Sequence, residues 1–323
     1  MARMDGDDMS ICFIPAGDIT NAGSRMRAYW PAEFIPGATV AGWDDIRAGR
    51  LPQADAYVFQ KLVDVALMQR LRDDGAIIVW DVCDPAWWFN PNDAEEAADA
   101  AHAVVASSRS LADDFTEWNG RSARYIRDRV LLSHFSRQVE HRDTSPVRLI
   151  WFGAGQNRVA LHAAAANLSR LRANGHAVTL TIFDDAPHVP VGYLESDMPI
   201  HYVRWALHQE NEVLAAHDIA LLPPYPGPWG AVKSNNKAIT AMAAGLPVTD
   251  GTCYQELWRF VTSPSTRAEN GRAGRILVEE LYNVEQSAAD WTALIEELQH
   301  GANDTVHRGT EGVQVRRQMA QAG

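Results

Sequence analysis

Short apolar runs rich in β-branched residues alternate with helical patterns along nearly the whole chain, and this alternation restricts the fold more than any other feature. In the first half, strands are expected at ICFIP (11–15), ATVAG (38–42), AYVFQ (56–60), AIIVWD (76–81), AVVAS (103–107) and ARYIRD (123–128). Helical segments fit between most of them, at SRMRAYWPAEF, VDVALMQRLRDDG and SRSLADDFTEWNG. The polar stretch SHFSRQVEHRDTSPV (133–147) marks a linker, after which the alternation resumes. Its strands are expected at VRLIWFG (147–153), AVTLTIFDD (177–185), IHYVRW (200–205), DIALLPP (218–224) and LPVTDG (246–251), with helices at 157–174, 208–217, 235–244, 254–261 and 284–299.

Strands separated by single helices imply parallel sheets covered on both faces, because a parallel connection needs a long crossover. The expected fold is therefore α/β, with two tandem Rossmann-like doubly wound domains facing a cleft. The domains are placed at 1–145 and 146–302, followed by a polar tail at 303–323. A length of 323 residues agrees with two cores of ordinary size.

Charge limits the possible partners. With 29 Lys and Arg against 41 Asp and Glu, a net charge of −12 leaves no broad basic face, so extensive binding to a nucleic-acid backbone is not expected. Small basic clusters, Arg25 with Arg27 and Lys233 with Lys237, are enough for one diphosphate. The three cysteines are far apart in sequence and suggest neither a disulfide framework nor a zinc site. The expectation is a cytoplasmic protein, meeting membrane-bound substrates only peripherally, since no window approaches the ~18 apolar residues of a membrane span.

In open α/β sheets, ligands bind beyond the carboxyl ends of the strands, and that rule selects three segments. In IPAGDITNAGSRMRAYW a strand runs into a loop containing Gly17, and a helix then starts near Ser24 with Arg25 and Arg27 in its first turn. Positive charge there opposes the helix dipole, so the pair reads either as an anion or acceptor contact or as two surface arginines. In VWDVCDPAWWF a buried strand ends at Asp81 and Asp84, followed by Trp87 and Trp88. Carboxylates beside aromatic rings suit a sugar, and one of the two acids is expected to cap the next turn instead. The third segment is DIALLPPYPGPWGAVKSNNKAITAMAAGLPV, a strand, a rigid Pro/Gly loop and then a helix of small residues. Ser234 is expected to cap that helix, leaving the amides of Asn235 and Asn236 free between Lys233 and Lys237 to cradle a diphosphate.

The order of VRLIWFG, ENEVLAAHDIALLPP and KAITAMAAGLPV resembles the carboxyl-terminal domain of GT-B glycosyltransferases, family 4-like ones especially, and AVVASSRSLADDF resembles the last unit of their acceptor domain. The resemblance spans about residues 10–300. It implies retaining, metal-independent transfer of a sugar from a nucleoside diphosphate sugar, with no further cofactor, to an acceptor held by the first domain. It implies donor contacts at Gly153, Arg158, Lys233, Ser234, Asn235, Asn236, Lys237 and Thr240, and places Arg204 and Trp205 near the nucleobase. Gly17, Ser24, Arg25, Arg27, Asp81 and Trp87 fall on the acceptor side, and Asp84 and Lys237 are the expected catalytic groups. The family's two glutamates, eight positions apart, are replaced here by Val232 and Thr240.

Two other readings stay open. One is an inactive glycan- or nucleotide-binding protein of this fold, which the missing glutamates favour. The other is a nucleotide-sugar epimerase, which needs an acid and a base facing the cleft, with Asp81, Asp84, Glu210 and His134 as candidates. A cell-envelope polysaccharide, a lipid-linked glycan or a small metabolite is preferred as acceptor over a modified DNA base, against which the acidic charge counts.

Overall fold

A computed structural model describes residues 9–186, 194 and 198–301. Each of the eleven expected strands forms. The first sheet contains β1 (Ile11–Ile14), β2 (Thr39–Val40), β3 (Ala56–Gln60), β4 (Ile77–Val82), β5 (Ala103–Ala106) and β6 (Arg124–Tyr125), in the order β2-β1-β3-β4-β5-β6. The second contains β7 (Val147–Gly153), β8 (Val178–Asp184), β9 (Ile200–Arg204), β10 (Ile219–Leu221) and β11 (Val248–Thr249), in the order β11-β10-β7-β8-β9. All pairings between these strands are parallel.

Both faces of each sheet are covered. Along β1, Cys12 and Ile14 join one apolar cluster while Ile11 and Phe13 join another, as the two-residue period of a strand requires. The chain reverses its direction of travel across the sheet between β1 and β3 in the first domain, and between β7 and β10 in the second. The carboxyl ends at these two switch points, Gln60–Lys61 and Gly153 with Leu222, line the same cleft.

Two helices depart from the expectation. Pro264–Leu281 is an 18-residue helix where none was expected. Its glycines break the apolar pattern because they permit close approach to the helix Asn236–Ala243 and the turn after it. A Cβ on Gly271 would lie 2.2 Å from the Gly245 carbonyl oxygen, and one on Gly274 would lie 2.8 Å from Met242 Cγ. The last described helix, 284–301, was assigned to the second domain by sequence but packs on the first. Trp291 and Ile295 enter the cluster built on Ile11, Phe13 and Val58, and the Trp291 ring meets Phe13 edge-on at 5.8 Å. The chain thus crosses between domains twice, and the crossings are bonded to each other: Val130 N–H to the Tyr282 carbonyl at 2.9 Å, and Val284 N–H to the Val130 carbonyl at 3.0 Å.

Candidate functional site

The cleft between the domains holds a cavity of about 760 Å³. On the second-domain side it is built from the third segment singled out in the sequence. Lys233, Ser234, Asn235, Asn236, Lys237 and Thr240 all line it. The helix cap differs from expectation. Ser234 donates its hydroxyl to Asp128 Oδ2 at 2.5 Å, and the N-cap residue is Asn235, whose side chain makes no cap bond. The first bond inside the helix runs from Ile239 N–H to the Asn235 carbonyl at 3.1 Å. The amides of Asn236, Lys237 and Ala238 precede it, and all three residues line the cavity.

Lys237 is the exceptional cation. Its ammonium sits 5.4 Å from the centre of the Trp151 ring, and among the described residues no carboxylate pairs with it. Burial, assisted by Lys233, holds it below the usual lysine range. Gly153 makes room for it: the backbone there has φ +145°, and a Cβ would lie 3.3 Å from Lys237 Cδ. An unpaired, partly desolvated ammonium beside free helix amides is a ready site for an anion.

On the first-domain side stands Asp84, paired with Lys61 at 2.6 Å and with Lys233 across the cleft. Burial alone would raise its carboxyl, but the two lysines hold it below the usual range. Lys61, which no sequence motif had singled out, follows β3 directly. It is the one non-glycine residue with positive φ among the described residues, at 69°. Such a conformation is costly and is often kept where function needs it. The strand-end rule includes its position; the backbone conformation has no sequence signature.

A second cross-domain cluster surrounds Glu210, which is buried. It accepts from Arg25 Nη2 at 3.2 Å and from Trp205 Nε1 at 3.1 Å, and its other oxygen lies 3.1 Å from His134 Nε2. The Arg25 guanidinium lies between Trp30 and Trp205, at 5.1 and 5.3 Å from the ring centres. Sequence proximity does not link Glu210 with His134, and the fold brings them together. Asp81 and Asp84 are not part of that cluster.

Other expected site residues lie elsewhere. Arg27 and Asp81 form a buried ion pair beneath the cleft floor, joined to Asp128 in the cavity lining, with Arg27 Nη2 2.5 Å from Asp81 Oδ1 and Nη1 2.9 Å from Asp128 Oδ1. They do not face an acceptor, because a buried guanidinium needs its carboxylates close. A π-helical turn at Arg25–Tyr29 carries both arginines inward. Arg158 is held by Asp184 at 2.6 and 2.7 Å and does not line the cavity, so it stands away from the place a diphosphate would occupy. Trp87 is core: it stacks on Trp118 at 5.5 Å and donates to Asp114. Its neighbours Trp88 and Phe89 are exposed and flank the half-buried Trp229, at 6.3 and 5.2 Å, and the Lys233 ammonium lies 4.9 Å from the centre of the Trp229 ring. Arg204 is exposed outside the cavity, whereas Trp205 lines it. Gly17 and Ser24 support the first loop from below, Gly17 N–H donating to Ser24 Oγ at 3.0 Å and Ser24 Oγ to Gln60 Oε1 at 3.1 Å.

Val232, in place of a family glutamate, does not point at a sugar. It packs in the first domain's core, and its carbonyl accepts from Ser108 Oγ at 2.7 Å. Thr240 is buried along the cavity wall. Among the described residues, no group of three or more His, Cys, Asp or Glu is arranged to hold a metal ion, and no helix is long and apolar enough to cross a membrane.

No family model and no curated protein matches the sequence. Solved structures do match in shape. An alpha-glucosyltransferase in complex with UDP and a 13-mer DNA containing a central A:G mismatch superposes with a TM-score of 0.64 at 10% identity, over 89% of this chain and 100% of that one. The apo form of the lipopolysaccharide outer core galactosyltransferase WaaB gives 0.55 at 13% identity, over 89% and 100%. TarM gives 0.55 at 12% identity, over 74% of this chain and 54% of that one, so the chain spans about half the length of TarM. The architecture is therefore the GT-B fold that these glycosyltransferases share, and the likeness is one of fold.

Proposed function

We propose that this protein is a glycosyltransferase that takes a sugar from a nucleoside diphosphate sugar held mainly by the second domain and passes it to an acceptor bound on the first-domain side. The observation that carries the reading is Lys237, an unpaired ammonium at a helix start whose amides are free, beside a strand-end glycine at the topological switch point. When the bond from sugar to diphosphate breaks, negative charge grows on the leaving phosphate. Fixed donors aimed there stabilise that charge without reorganisation. Lys237 and the amides of Asn236 to Ala238 supply such donors, and Lys233 adds a second ammonium. This arrangement supports metal-independent transfer, and the resemblance to family 4-like enzymes supports retention of configuration.

Asp84 faces the acceptor side of the same cavity. Because Lys61 and Lys233 hold its carboxyl below the usual range, its role near neutral pH is to accept a hydrogen bond, not to donate one. The exposed rings of Trp88 and Phe89, packed on the half-buried Trp229 next to Lys233, offer apolar faces on which a sugar ring of the acceptor can stack. The acidic net charge supports a glycan or small-molecule acceptor over a nucleic acid, and the sequence reading supports a cytoplasmic enzyme.

The direct test is binding and turnover against a panel of nucleoside diphosphate sugars, with Lys237→Ala as the control. Release of a nucleoside diphosphate by the native protein and its loss in the variant is the expected result. Failure of the native protein to bind any nucleoside diphosphate would overturn the reading.

A further inference from the structure

We infer that Lys61 is a diphosphate ligand supplied by the first domain, and that Asp84 is an internal counter-anion holding Lys61 and Lys233 in place until a diphosphate displaces it. The inference rests on the reading above and goes beyond it, since that reading draws its anion contacts from the second domain.

Three ammonium groups, Lys61, Lys233 and Lys237, line the cavity, and among the described residues Asp84 is the one carboxylate paired with any of them. The other acids of the lining are occupied elsewhere: Glu210 by Arg25, Trp205 and His134; Asp128 by Arg27 and Ser234; Asp185 by the Gly155 amide at 2.7 Å. The cluster therefore has an excess of positive charge, matching the two negative charges of the diphosphate in a nucleotide sugar. Asp84 projects from the carboxyl end of β4 on one domain, and Lys233 precedes the open helix start on the other. Its carboxylate thus stands between cations of both domains, where a bridging phosphate would find donors from each side.

The Lys61 backbone points the same way. Its amide donates to the Asp81 carbonyl at 2.7 Å, and the next amide, that of Leu62, turns back to the Gln60 carbonyl at 2.8 Å. This tight turn imposes the positive φ and directs the side chain to Asp84. The lysine is about half exposed, so apolar burial does not explain why the strained position is occupied by a residue other than glycine or asparagine. Phosphate oxygens accept charge-assisted hydrogen bonds as a carboxylate does, so exchanging Asp84 for a diphosphate conserves the lysines' bonds and frees the carboxylate to face the acceptor.

Calorimetric titration of the full chain with UDP, GDP, ADP, CDP and dTDP, and separately with inorganic pyrophosphate, tests the inference. Asparagine tolerates positive φ, so Lys61→Asn removes the charge without adding backbone strain. It is expected to weaken the diphosphate and pyrophosphate affinities about tenfold, with Lys61→Arg restoring most of the loss. Asp84→Asn is expected to tighten both severalfold. Unchanged affinity in Lys61→Asn, or weaker affinity in Asp84→Asn, overturns the inference. If the native protein binds pyrophosphate but no nucleoside diphosphate, the glycosyltransferase reading fails while the variants still judge the anion site. If it binds neither, both fail. Thermal melts of each variant show that it is folded.

Discussion

Two helix starts in this chain look alike as sequence and do opposite work. Each places two basic residues around the first turn of a helix that follows a strand, Arg25 and Arg27 in the first domain, Lys233 and Lys237 in the second. In the first, a π-helical turn carries both guanidinium groups inward to fixed carboxylates, Glu210 for Arg25, Asp81 and Asp128 for Arg27. In the second, Lys233 reaches across to Asp84, while Lys237 keeps an ammonium with no carboxylate beside it among the described residues. Basic residues at a helix start therefore do not by themselves mark an anion site. What separates the two is whether acids from other elements already satisfy the charge, and those acids lie 54 to 185 residues away in sequence.

The contrast can be broken most forcefully at Arg27. Arg27→Ala leaves Asp81 and Asp128 buried without their cation, and chemical denaturation should show a loss of about 3–5 kcal/mol. A loss below ~1 kcal/mol would mean that the network is not structural. Val232→Glu, which restores the family's residue, should cost roughly 2–4 kcal/mol in the same measurement, because it drives a carboxylate into the first domain's core. It should bring no gain in turnover, and a gain would show that the loop from Gly227 to Lys233 moves when the donor binds. Lys237→Met is the reverse case: a stability change within ~0.5 kcal/mol, with nucleoside diphosphate affinity weakened about tenfold.

The smallest effect is one of pH. On the proposed reading the Lys237 ammonium contributes to binding, and burial places its deprotonation below that of a free lysine. Affinity for a nucleoside diphosphate should thus be full at neutral pH and fall as pH rises through that lowered value. Lys237→Arg should move the fall to higher pH, and an identical profile in both proteins would assign the titration to another group.

Much of the fold was legible because strand signals are local. All eleven strands follow from short apolar runs, and the parallel topology follows from the helices between them. The helix Pro264–Leu281 was not legible, since Gly271 and Gly274 look like breakers until their neighbours Gly245 and Met242 are in place. At the site, the strand-end rule selects the segment 233–237, which lines the cavity, while the amides ahead of the first helix bond are those of Asn236, Lys237 and Ala238 where Asn235 and Asn236 are expected from the sequence. The partners of Arg158, Arg27 and Trp87 were invisible, because each is paid off by a residue on a different element: Asp184, Asp81 with Asp128, and Asp114. Ser234 misled for the same reason, its hydroxyl being taken by Asp128 in the other domain.

The return of the chain to its first domain has a mechanical consequence. Two segments cross side by side and are stitched together at Val130, with Tyr282 and Val284 as the bonded neighbours. Both bonds use the backbone of Val130, so the residue that leads out of the first domain also fixes where the returning chain enters it, and the place of helix 284–301 on the first sheet is set at that single point.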